Sequence, residues 1–72
     1  MQDSNLKVMV VGSGGREHTL AKVCQGSPLV GEVVVAPGNP GIAEEFKTLK
    51  LEAENNSLIV KVAQENKVDL VV

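Results

Sequence analysis

Apolar positions in this chain follow two different rhythms, and the way they alternate predicts the fold class. Leu6-Lys7-Val8-Met9-Val10-Val11 is a short, Val-rich run with almost no polar alternation, the pattern of a strand buried on both faces of a parallel sheet. Gly12-Ser13-Gly14-Gly15 follows at once. Beyond it, Arg16 to Gln25 carries apolar residues at Leu20, Ala21, Val23 and Cys24 and charge at Arg16, Glu17 and Lys22, which predicts an amphipathic helix of about three turns. Gly26 is placed to cap that helix in the left-handed conformation, and Ser27-Pro28 prevents its continuation. Val33-Val34-Val35-Ala36 is then a second buried strand, giving a unit of strand, glycine turn, helix, strand.

Pro37-Gly38-Asn39-Pro40-Gly41 predicts a loop rather than helix or central strand, because its prolines remove donors and its glycines relax the backbone. Ile42 to Phe46 is expected to form one helical turn. Lys47 to Leu51 is expected to form a short third strand with Leu49 and Leu51 on one side and Lys50 on the other. Asn55-Asn56-Ser57 supplies an N-cap for a helix reaching about Asn66, with Leu58, Ile59, Val62 and Ala63 as its buried stripe and Asn66 ending it in a left-handed turn. Val68 to Val72 completes the pattern as a fourth strand. Strands alternating with helices imply right-handed crossovers and a parallel α/β sheet, half of a doubly wound fold with expected strand order 3-2-1-4. Ligands bind such sheets beyond the carboxyl ends of the strands, where both glycine-rich loops emerge.

Composition narrows the functional classes. Seventy-two residues make at most one small domain, and 43% apolar with 22% charged residues describes a globular chain. A net charge of −2 with interleaved signs leaves no basic stripe for nucleic acid and no polybasic membrane anchor. The single cysteine forms no internal disulfide, and no Cys/His cluster is spaced for zinc. The polar start, Met1 to Lys7, lacks the apolar core of a signal segment, so the expected setting is cytoplasmic. The fourth strand ends at Val72 without the loop that should follow it, so the chain is expected to be a fragment of a longer one.

The first loop carries the chemistry. Where a strand hands over to a helix, successive backbone N–H groups converge on an anion, and glycine lets the anion approach. Arg16 adds a planar donor fork suited to phosphate or carboxylate. A helix end contributes about 0.3–1 kcal/mol and a charged hydrogen bond about 1.5–3 kcal/mol, which together suit a phosphate handle of about millimolar strength. A dinucleotide fingerprint would need glycine at positions 12, 14 and 17, but Glu17 holds the third place and no acidic residue follows the second strand to take a ribose. The GK[ST] triplet of a nucleotide P-loop is also absent. His18 is expected to be a solvated surface histidine, Cys24 a small core hydrophobe, Phe46 a core plug, and no catalytic residue is assigned.

Gly-Ser-Gly-Gly-Arg-Glu-His-Thr-Leu-Ala (12 to 21), followed by Val-Ala-Pro-Gly-Asn-Pro-Gly (35 to 41) and the ending Lys67-Val68-Asp69-Leu70-Val71-Val72, closely resembles the start of the phosphoribosylamine-glycine ligase family. The helix departs from the family's usual pattern at Lys22, where many members have Trp. The resemblance implies a Rossmann-like fold of the pre-ATP-grasp type, truncated after the fourth strand, with residues 1–72 as an N-terminal substrate-binding domain incomplete at its C-terminal end. It also implies a parent ligase that uses ATP with Mg2+ or Mn2+, bound outside these residues, to join 5-phosphoribosylamine and glycine in purine synthesis. Gly12, Ser13, Gly14, Gly15, Arg16 and Glu17 would face the phosphoribosyl substrate, with Pro37, Gly38, Asn39 and Gly41 as the neighbouring wall. Two further readings stand beside it: an NAD(P)- or other nucleotide-binding module, and a small interaction domain with no ligand.

Overall fold

Val8, Met9 and Val10 are fully buried because their strand, β1 (Leu6–Gly12), lies inside a four-stranded parallel sheet with a neighbour on each side. The computed structural model describes residues 6–52 and 54–72; the polar residues 1–5, part of the stretch expected to carry no signal segment, lie outside them. The remaining elements follow in chain order as α1 (Gly15–Gln25), β2 (Val30–Pro37), α2 (Pro40–Ala43), β3 (Lys47–Thr48), α3 (Asn56–Glu65) and β4 (Leu70–Val71). The sheet order is β3-β2-β1-β4, as the Val-rich runs and short connections predict.

Strand pleating sends alternate residues of β1 and β2 to opposite faces, so each face has its own core. Val8, Val10, Val33 and Val35 pack with Ala21 of α1 and with Ile42 and Phe46. Met9, Val34 and Ala36 pack with Leu51 and with Ala63 of α3, joined by half-buried Leu58, Ile59 and Val62. Register aligns Met9 with Val34 on one side and Val71 on the other. Each fully buried Val or Met contributes roughly 1.5–3 kcal/mol relative to exposure, and the two β1 faces concentrate that gain at the sheet centre. Among the described residues no helix is long and apolar enough to cross a membrane.

Several expectations need correction. β2 is longer than Val33 to Ala36, and Pro37 is its last residue, paired with Gly12. Proline is accepted there because it sits at the strand's end, where a ladder donor is dispensable. The segment 37–41 is also not all loop: the helical turn begins at Pro40, ahead of Ile42, because proline's fixed φ suits the first helical position and Asn39 caps it. β3 stops at Thr48 rather than Leu51, although Leu49 donates one further backbone hydrogen bond to Val35. Gly26 caps α1 in the right-handed region (φ −76°), and the left-handed position after α3 is Lys67 (φ 56°), one residue beyond Asn66. Val23 is 67% exposed and leaves the buried stripe of α1 to Leu20, Ala21 and Cys24. β4 covers only Leu70–Val71, while Asp69 and Val72 still bond backbone to β1.

Candidate functional site

The two glycine loops meet at the carboxyl ends of β1 and β2. The first begins at Gly12 (φ 142°), a conformation that side-chain-bearing residues rarely adopt. The chain then extends through Gly14, the N-cap of α1 (φ −101°, ψ 179°). A glycine cap has no side-chain acceptor, and the Glu17 carboxylate folds back instead, accepting from the Gly14 N–H at 2.9 Å. Its methylene and carboxyl carbons then occupy the space beside the Gly12 α-carbon that a Cβ would need. The N–H groups of Ser13, Gly15, Arg16 and Glu17 have no backbone or side-chain acceptor among the described residues. Arg16 is exposed at the helix mouth and enters no ion pair among the described residues.

The second loop is tied to the first. Gly38 (φ 73°) donates its N–H to the Gly12 carbonyl at 3.0 Å, and the Ala36-Pro37 peptide before it is cis. Asn39 uses both ends of its side chain: Oδ1 accepts from the Ile42 N–H at 2.9 Å, capping α2, and Nδ2 donates to the Ser13 carbonyl. Gly41 lies in α2 beside that Oδ1. The structure thus gathers the expected positions from Gly12 to Glu17 and from Pro37 to Gly41 into one patch, but it turns two side chains inward. Glu17 and Asn39 engage the loop itself.

His18 is half-buried rather than solvated. Its Nε2 lies 3.2 Å from Glu45 Oε1, and its ring meets Phe46 edge to face with centroids 6.0 Å apart. Lys22 reaches the same carboxylate at 3.5 Å. The hydrogen bond from His18, aided by the charge of Lys22, holds the Glu45 carboxyl below its ordinary range against a smaller opposing effect of desolvation. Glu45 and Thr48, whose methyl packs on Gly38, are neighbours of the site that sequence reading missed. Their only signals are contacts distant along the chain. The start of α2, by contrast, was signalled by Asn39-Pro40, a capping residue followed by proline. A separate groove of about 220 Å3 lies between α3 and the segment around Leu51, with Lys50, Lys61, Glu52 and Glu65 at its rim, and touches neither glycine loop.

Comparison with known proteins bears on this arrangement. Residues 6–72 match the family model described as phosphoribosylglycinamide synthetase, N domain. The chain is 43% identical over 67 residues to the phosphoribosylamine--glycine ligase of Agrobacterium fabrum, 48% over 67 residues to that of Caulobacter vibrioides and 44% over 66 residues to that of Lactococcus lactis. These matches cover 93%, 93% and 90% of this chain. The chain spans 16% of the length of each relative. With a parallel β3-β2-β1-β4 sheet and a match that runs through all of its strands, the chain belongs to the phosphoribosylglycinamide synthetase N-domain family.

Proposed function

We propose that this chain holds the phosphoribosyl end of 5-phosphoribosylamine for an ATP-dependent ligase that joins it to glycine in purine synthesis in the cytoplasm. The observation that carries this reading is the open set of N–H groups at Ser13, Gly15 and Arg16 at the positive end of α1, where Arg16 is exposed. A dianionic phosphate matches that donor set in charge and size. Pro37, Gly38 and Gly41 form the wall beside it, and the register of Gly12 with Pro37 brings wall and loop together. In the complete reaction ATP phosphorylates the glycine carboxylate, releasing ADP, and the amine of 5-phosphoribosylamine attacks the resulting acyl phosphate, displacing inorganic phosphate as the C–N bond forms. Among the described residues no three His, Cys, Asp or Glu side chains form a metal-binding group. In this reading the chain's part is to bind and orient the phosphoribosyl substrate, while the partner domains of the parent ligase supply the sites for glycine and for ATP with Mg2+ or Mn2+.

The test is an NMR titration of the 15N-labelled chain with ribose 5-phosphate and with inorganic phosphate. Amide shifts clustering at Gly12 to Glu17 and Gly38 to Gly41, with an affinity of about millimolar that Arg16→Ala weakens, support the reading. Shifts spread over the surface, or indifferent to Arg16→Ala, overturn it. NAD in the same titration separates the dinucleotide alternative: with Glu17 packed where the third fingerprint glycine would lie, saturable NAD binding is not expected.

A further inference from the structure

The Ser13–Gly14 peptide is held at both ends. Its carbonyl accepts from Asn39 Nδ2, and its N–H donates to Glu17 Oε1 at 2.9 Å. A trans peptide is planar, with C=O and N–H pointing to opposite sides, so two such bonds leave it one orientation. Rotating it by half a turn would set the Ser13 carbonyl oxygen against the Glu17 carboxylate and the Gly14 N–H against the Asn39 NH2 group. Both contacts pair like with like, acceptor on acceptor and donor on donor. The two clamping residues come from different loops, and each has a second anchor: Asn39 caps α2 through Ile42, and Glu17 packs on Gly12.

We propose that Glu17 and Asn39 are positioning residues which lock the Ser13–Gly14 peptide in one orientation, presetting the neighbouring N–H groups of Ser13, Gly15 and Arg16 for a phosphate they do not themselves touch. The proposal rests on the phosphate reading above and adds to it, because Glu17 Oε1 is already engaged by the Gly14 N–H and so braces the loop. A loop already in its binding conformation loses less entropy when the anion arrives.

Glu17 gives a decisive pair of variants, because its charge and its acceptor role pull in opposite directions. Glu17→Ala removes a negative charge next to the site, so simple electrostatics makes phosphate bind more tightly, whereas loss of the clamp makes it bind more weakly. Glu17→Gln removes the same charge and keeps an oxygen for the Gly14 N–H. On the loop's other side, Asn39→Ser is neutral and keeps a capping oxygen for α2 but is too short to reach the Ser13 carbonyl.

The experiment titrates inorganic phosphate into the native chain and these three variants by 15N NMR, after measuring Gly14 amide exchange without ligand and confirming unchanged melting for each. Expected are native-like or tighter binding for Glu17→Gln, and binding about fivefold weaker for Glu17→Ala and Asn39→Ser. Exchange at Gly14 should rise only in Glu17→Ala and Asn39→Ser. Phosphate binding in Glu17→Ala as tight as in the native chain overturns the positioning role alone. No saturable phosphate binding by the native chain overturns the functional reading and this inference with it. If Glu17→Ala or Asn39→Ser fails to melt like the native chain, the other of the two is compared with Glu17→Gln, and phosphate binding by it as tight as in the native chain overturns the positioning role.

Discussion

Gly38 is where a single methyl group would do most harm. Its φ of 73° is left-handed, and a Cβ there would stand 2.7 Å from the Thr48 methyl on the neighbouring strand. Gly38→Ala should therefore lower stability by about 1–2 kcal/mol from the left-handed backbone, with a further loss from the clash. The two parts separate experimentally, because Thr48→Ser removes only the methyl. Urea unfolding of Gly38→Ala with and without Thr48→Ser should show partial recovery in the double variant, down to the backbone share. A Gly38→Ala chain as stable as the native one would mean that the backbone relaxes out of the left-handed region. The same residue donates its N–H to Gly12, so strain at Gly38 is felt in both loops.

At the scale of elements, α1 is joined to the corner after α2 through one carboxylate. Glu45 takes His18 at 3.2 Å and Lys22 at 3.5 Å, and these partners favour its ionised form in the folded chain. A carboxyl whose folded pKa lies below its unfolded value of 4.5 stabilises the fold fully above 4.5, and the gain is lost as pH falls through the lowered folded value. Thermal melts of the native chain and Glu45→Gln across acid pH should therefore converge as pH falls below 4.5, with the native chain ahead only at higher pH. A constant difference at every pH would assign the effect to packing instead. Glu45 also shows why part of the site was illegible in the sequence: it lies 27 positions from His18, and nothing local marks the pair. The sheet order and both glycine loops were legible because buried parallel strands are written as continuous Val-rich runs, Val8 to Val11 and Val33 to Val35. The inward turn of Glu17 was not, since the same Glu reads equally as a ligand contact and as a brace for Gly14. β3 was overestimated because Leu49 and Leu51 keep the strand rhythm while only Lys47 and Thr48 pair regularly with β2.

At the scale of the molecule, the described residues leave β4 as an apolar edge of the sheet. Leu70, Val71 and Val72 are 52%, 42% and 44% exposed along β4, and an uncharged open edge is a template for pairing with another strand. Sedimentation velocity of the isolated chain should show reversible, concentration-dependent association, reduced by Val71→Lys; equal behaviour of the two chains would place the contact elsewhere. The position of β1 has a consequence during synthesis. β1 precedes the other described strands along the chain yet is internal to the sheet, and its second neighbour, reached through the Lys7–Asp69 bond, is 62 positions downstream. At about 5–20 residues per second of translation, Val8 and Met9 wait about 3–12 s after they are made before Leu70 and Val71 exist to cover them. Throughout that interval the nascent chain can pair β1 with β2 alone, so half of its most apolar strand stays open to chaperones and to neighbouring chains on the same messenger.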